Sequence, residues 1–152
     1  MAQRRASMMA NKGIKAAVID TMVFAYGLLN ETDFAEDSLT TIARTETIHV
    51  PDSIRAELTN VLWQWITQKS ISVQTGLDVL QDASTLFSRV HPTEHYWREA
   101  LILACEDKHP AYDTLFIAVA KGQNIPLVTY DKKLLKKYPD IAIRPDVYIR
   151  TL

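Results

Sequence analysis

The fourteen residues from His109 to Gly122 place a carboxylate where a helix should be most apolar. Pro110 near the first helical position and Gly122 just past the last one delimit that helix. At about 100° per residue, Phe116, Ile117 and Ala120 share one face, and Asp113 falls in the middle of it. A charge aimed at a core is costly unless something neutralises it. Three roles satisfy Asp113: an acid answering the helix dipole, a buried acid bonded to backbone amides, or a metal ligand or catalytic acid. The third requires other acids to meet it.

The rest of the chain alternates short apolar runs with helical ones. Ala16-Ala17-Val18-Ile19 has the unbroken apolar character of a strand buried on both faces, and it ends at Asp20. Helices are expected over 22–29, closed by the polar stretch 30–33, and over about 35–44. Thr47-Ile48-His49-Val50 is the next strand, stopped by Pro51. Asp52 is a suitable N-cap for a long helix to about Lys69, in which Ile54, Leu58, Val61, Leu62 and Trp65 form the buried stripe. Glu57 lies on the margin of that stripe and Trp63 opposite it, beneath another helix or facing a partner. A helix over 73–87, a short strand at Arg89-Val90-His91 and a helix from a Thr93 cap to about Cys105 follow. Ile125 to Thr129 reads as a strand ending beside Asp131, and 132–138 as a short basic helix. Ile141 to Ile143 and Val147 to Ile149 are closing-strand candidates. Alternation of this kind implies one α/β domain, with a mainly parallel sheet covered on both faces.

Composition narrows the class. With 47% hydrophobic and 23% charged residues, the chain is that of a globular protein. The net charge of −1 advertises no nucleic acid, although clustered acids can mask a local basic patch. A single cysteine, Cys105, excludes an intrachain disulfide and a cysteine-rich zinc site. No apolar run approaches the roughly 18–20 residues that cross a bilayer, and no apolar segment follows the basic residues at the start. The expectation is a cytoplasmic protein without membrane association, with residues 1–13 a loose lead-in and the domain over 14–152.

Four acids fall at the ends of elements. Asp20 ends the first strand, Asp131 follows the Leu127-Val128-Thr129 strand, and Glu57 and Asp113 lie early in helices. In an open parallel sheet these places collect at the carboxyl edge, where ligands bind. Carboxylates gathered there raise one another's pKa unless a cation sits between them. Oxygen ligands suit magnesium or manganese, which can activate water and clamp a phosphodiester. Each acid also has an ordinary reading: Asp20 a turn residue, Glu57 a solvated margin, Asp131 a cap on the lysine-rich helix. His49, His91, His95 and His109 show no metal-binding spacing, and Pro92 breaks any helix face shared by His91 and His95. All four read as structural or surface residues. Asp107 reads as a solvated loop acid or a supporting residue.

Taken together, Val18-Ile19-Asp20-Thr21, Pro51 followed by Glu57-Leu58-Thr59-Asn60-Val61-Leu62, Tyr112-Asp113-Thr114-Leu115-Phe116-Ile117-Ala118-Val119-Ala120 and Leu127-Val128-Thr129-Tyr130-Asp131 occur in an order that resembles the PIN-domain family. The likeness is strongest to the VapC-type toxins of toxin–antitoxin pairs, and it spans nearly the whole domain. The resemblance implies a three-layer α/β/α fold and a magnesium- or manganese-dependent endoribonuclease leaving a 5′-phosphate and a 3′-hydroxyl. Asp20, Glu57, Asp113 and Asp131 correspond to its acidic site, with Asp20, Asp113 and Asp131 as metal ligands and Glu57 orienting or deprotonating the attacking water. Thr129 matches a small hydroxyl residue two positions before the last acid. Met22 departs from the polar Ser or Asn often found two residues after the first, and Thr21 is the nearby hydroxyl that could replace it.

The RNA substrate needs cations, which Lys132, Lys133, Lys136 and Lys137 can supply; a solvated helix face is the alternative. Arg55 and Tyr130 are further candidates for RNA contact. The toxin reading implies a cognate antitoxin that places a basic side chain among the acids, and a homodimer, with Trp63 the candidate outward contact. Rival readings are a PIN-like protein-binding module and a housekeeping RNA-processing nuclease. A receiver wants adjacent acids after the first strand, where Ile19 precedes Asp20. A haloacid-dehalogenase phosphatase wants a second Asp where Met22 stands.

Overall fold

A computed structural model describes residues 15–29, 32–68 and 70–152. The lead-in expected over 1–13, residues 30 and 31 of the first polar stretch and the helix end at Lys69 lie outside them. The described elements are β1 (Ala16–Ile19), α1 (Thr21–Leu29), α2 (Ala35–Arg44), β2 (Thr47–Pro51), α3 (Ile54–Thr67), α4 (Val73–Leu86) and β3 (Arg89–His91). After a short 3-10 turn at Thr93–His95 come α5 (Trp97–Asp107), α6 (Ala111–Gln123), β4 (Leu127–Val128), α7 (Lys132–Lys137), β5 (Ala142–Ile143) and α8 (Pro145–Tyr148).

The five strands form one sheet in the order β3-β2-β1-β4-β5, and every pairing is parallel. Each parallel step needs a crossover, and the helices supply it, giving a three-layer α/β/α arrangement. β1 lies in the middle, which explains why Ala17, Val18 and Ile19 have no solvent-accessible surface. Successive strand residues point to opposite faces. Val18 and Leu127 join the large core together with Phe24, Phe116 and Ile117, whereas Ala17, Val128 and Ile143 pack with Tyr148. A third cluster, of Ala25, Leu58, Leu62, Val79 and Ala83, welds α1, α3 and α4. The chain leaves β1 toward β2 and β3, then returns to place β4 on the other side of β1. The order therefore reverses between β1 and β4, where the carboxyl ends of a doubly wound sheet open a crevice.

Several local expectations change. Helix α6 is buried from Thr114 through Ala120 without interruption, so it is a core helix and not a one-sided stripe. Gly122 lies inside it, and a Cβ there would come within 2.9 Å of Tyr96 Cε1, so the close approach of that ring calls for glycine. Asn124, left-handed at φ 54°, closes the helix instead. Asp52 does not cap α3: its carboxylate accepts from the amide and the hydroxyl of Thr93, which removes Thr93 as a cap for α5 as well. The strand expected over Val147 to Ile149 is helical, since Pro145 at the first helical position starts α8 and Tyr148 turns inward to Thr45.

Candidate active site

Asp20, Glu57, Asp113 and Asp131 line one cleft of about 720 Å³ at the switch point between β1 and β4. Four separate elements deliver them. Asp20 follows β1, and the amide of Thr21, opening α1, donates to its Oδ1 at 2.8 Å. Glu57 stands in the first turn of α3, with Ser53 Oγ 3.4 Å from Oε2. Asp113 occupies the first turn of α6 with its side chain 34% exposed, so it faces the cleft and not the core. Asp131 ends the β4 loop and caps α7, its Oδ1 accepting from the amides of Lys133 and Leu134 at 2.8 and 3.0 Å. Asp131 thus caps α7 through Oδ1 and also lines the cleft.

Thr129 links two of these acids. Its hydroxyl donates to Asp20 Oδ2 at 2.5 Å and accepts from the amide of Asp131 at 3.0 Å. The hydroxyl of Thr21 is buried without a hydrogen-bond partner among the described residues, so it does not take the part open to it beside Met22. Met22 lines the cleft and packs against the α1–α3–α4 cluster.

His109 is the site residue that sequence reasoning missed. It is buried, with Nε2 2.9 Å from Asp113 Oδ2 and 3.8 Å from Asp131 Oδ2. Its offset of four residues from Asp113 was the available signal. Pro110 between them breaks the helix but does not stop side chains from meeting across the helix start.

Electrostatics mark the acids as crowded. Burial, opposed by the bonds from Thr129 and Thr21 and reinforced by Asp113 and Asp131, raises Asp20 to about 6. Burial first, then Asp20 and Asp113, raises Glu57 to about 8. Asp113 is also raised, by burial against the opposing pull of His109. One ligand atom from each of His109, Asp113 and Asp131 lies within 4.8 Å of the others, so this group can hold a metal ion. Carboxylates that burden one another in this way, with predominantly oxygen donors, fit a hard divalent cation.

Tyr26 and Tyr130 line another side of the cleft, and Trp65 and Phe34 pack against them. Tyr26 stacks on Trp65 at 6.0 Å and meets the edge of Tyr130 at 5.6 Å, while Phe34 lies 4.8 Å from Tyr130. Tyr130 is fixed by hydrogen bonds to Ser38 and the carbonyl of Phe34. Tyr112 lines the same cleft and is 70% exposed. Lys133 lies near enough to lower Asp113 against its net rise. Lys137 is turned away, donating to the carbonyl of Asp107, whose carboxylate accepts from Tyr138; Asp107 thus anchors α7 instead of supporting the acids. Arg55 sits over the ring of Phe87 and does not line the cleft. Trp63 is 59% exposed on the outer face of α3. No described helix is long and apolar enough to cross a membrane.

Comparison with known proteins agrees with this architecture. The chain is similar to Ribonuclease VapC12 of Mycobacterium tuberculosis, 28% identical over 95 residues that cover 62% of this chain and 72% of that protein. It is also similar to Ribonuclease VapC3 of Pyrobaculum aerophilum, 23% identical over 82% of this chain and 96% of that one. Among solved structures, PAE2754 from Pyrobaculum aerophilum superposes with a TM-score of 0.71 at 19% identity, covering 90% of this chain and 88% of that chain. VapBC2 from Rickettsia felis, bound to a DNA fragment from its promoter, gives 0.60 at 19% identity, covering 85% and 98%. A toxin–antitoxin complex from Klebsiella pneumoniae gives 0.61 at 15% identity, covering 85% and 97%. Residues 17–140 match the family described as PIN domain, and with the fold and the match extending over most of its length, this chain belongs to that family.

Proposed function

We propose that the chain is a divalent-metal-dependent endoribonuclease and the toxin of a type II toxin–antitoxin pair, with residues 14–152 as its working domain. The observation that carries the reading is the convergence of Asp20, Glu57, Asp113 and Asp131 on one cleft, where burial and mutual repulsion raise Asp20 and Glu57. The likeness to ribonucleases and toxin–antitoxin complexes supports the same conclusion.

Asp20, Asp113 and Asp131 would hold magnesium or manganese. A bound divalent ion supplies charge neutralisation at the phosphodiester and acidifies water. The chain's own groups do the rest. Glu57 accepts the proton of the attacking water, a role its position in the cleft beside Asp20 and Asp113 allows. The water oxygen bonds to phosphorus, the bond to the 3′ oxygen breaks with its electron pair going to that oxygen, which takes a proton from solvent, and the products carry a 5′-phosphate and a 3′-hydroxyl. Lys133 and its neighbour Lys132 attract the backbone of the incoming strand. The rings of Tyr26 and Tyr130, which line the cleft, give an unpaired base a surface to rest on.

An antitoxin partner follows from the same reading, as does a homodimer, with Trp63 the exposed candidate contact, and the reading carries with it a cytoplasmic location. The test compares the chain with Asp113→Asn on RNA, with and without manganese. Metal-dependent cleavage is expected from the unaltered chain, and the variant should lose about 100–1000-fold. Equal cleavage by both proteins removes the assignment.

A further inference from the structure

His109 brings an imidazole, 2% exposed, against two of the acids. A ligating role is the obvious assignment, since its Nε2 belongs to the group of atoms that fits a cation. The hydrogen bonding argues otherwise. An ionised carboxylate oxygen has no hydrogen to give, so in the 2.9 Å contact with Asp113 Oδ2 the hydrogen belongs to Nε2. Nδ1 is buried and meets no hydrogen-bond partner among the described residues. With the hydrogen on Nε2, Nδ1 buries only a lone pair. Coordination through Nε2 would move the hydrogen to Nδ1 and leave a buried N–H with nothing to receive it. Ligating histidines ordinarily donate that second N–H to a carbonyl or carboxylate, and this one meets neither among the described residues.

We propose that His109 is a positioning residue and not a metal ligand. Its Nε2–H holds Asp113 Oδ2 and stands beside Asp131 Oδ2, so two mutually repelling carboxylates keep a separation suited to one ion. The second oxygen of each acid adds to the arrangement: Asp131 Oδ1 is fixed by the α7 amides, while Asp113 Oδ1 has no hydrogen bond among the described residues and is free to coordinate. The inference rests on the metal-dependent reading above and assigns a role within it.

The test uses Mn²⁺ alone, titrated into the full chain, His109→Gln and His109→Leu, with affinity read by calorimetry and coordination by pulsed electron paramagnetic resonance. The glutamine amide can supply a donor near the Nε2 position. Expected results are no directly bound imidazole nitrogen in the unaltered protein, affinity within about threefold for His109→Gln, and a loss of about 10–100-fold for His109→Leu. A strong coupling to imidazole nitrogen that disappears in His109→Gln overturns the proposal by making His109 a ligand. Unaltered affinity in His109→Leu overturns it as well, since the imidazole would then serve packing only. The spectrum of the unaltered protein and the glutamine variant decide the matter if His109→Leu fails to fold. Absence of any Mn²⁺ binding by the unaltered protein removes the metal-dependent reading itself, which separates the two failures.

Discussion

Glu57→Gln removes one charge from the cleft while keeping the side chain's length and its contact with Ser53. In the metal-free protein, burial and then Asp20 and Asp113 lift Glu57 from its ordinary 4.5 to about 8. The unfolded chain therefore releases this proton near pH 4.5 and the folded chain near pH 8, so folding takes up a proton between those values. The group's contribution to stability is fully present below about 4.5 and is lost as pH rises through about 8. The whole interval corresponds to ~5 kcal/mol. Water in the open cleft screens part of this and the coupled acids share the rest, leaving about 1–3 kcal/mol. Glutamine does not titrate and escapes the penalty. In chelator at pH 8 the variant should melt about 3–10 °C above the unaltered protein, with the gap closing as pH falls toward 5. Thermal melts followed by circular dichroism at several pH values check this. A gap that is absent or reversed at pH 8, or that persists unchanged at pH 5, would refute the account of Glu57 as a desolvated, crowded acid. Mn²⁺ at pH 8 should stabilise the unaltered protein more than the variant, because the ion relieves a charge that only the former carries.

Three further outcomes follow from particular contacts. Thr129→Val removes the hydroxyl that opposes the rise of Asp20 and receives the Asp131 amide; stability in denaturant at pH 8 should fall by about 1–3 kcal/mol, and Thr129→Ser should restore most of it. Lys133→Ala should weaken binding of single-stranded RNA and reduce the slope of log affinity against log salt by roughly 0.7, as expected for one lost phosphate contact; an unchanged slope would exclude Lys133 from the strand's path. Phe116→Ala opens a cavity beneath the sheet at a side chain only 1% exposed, and chemical denaturation should register a loss of about 3–5 kcal/mol without a change in Mn²⁺ affinity.

Periodicity and short apolar runs carried most of the fold, because parallel strands buried on both faces leave little freedom in composition. Ala16 to Ile19 and the helix from Pro110 onward are examples. Side-chain bonding between distant segments was not legible. Asp52 and Thr93 each resemble a helix cap, and only tertiary contact reveals that they bond each other. Val147 to Ile149 has strand propensity, yet Pro145 and the burial of Tyr148 decide for helix. Within the cleft, acids at element ends pointed to one edge, since the positions of strand ends constrain where their neighbours go. His109 did not stand out, because its four-residue offset from Asp113 is interrupted by Pro110, and its second carboxylate neighbour, Asp131, lies far along the chain.

Asp131 joins the start of a helix to the floor of the cleft through one carboxyl group. Its oxygen on the amides of Lys133 and Leu134 makes those two N–H groups a natural gauge of what happens at the other oxygen. Their hydrogen exchange should slow when a cation enters and quicken when the acid is neutralised, reporting occupancy without any substrate being turned over. The same linkage gives Asp131→Ala a double effect: the lysine helix loses its anchor as the cleft loses an acid, so activity lost in that variant conflates the two, whereas Asp131→Asn keeps the cap and isolates the charge.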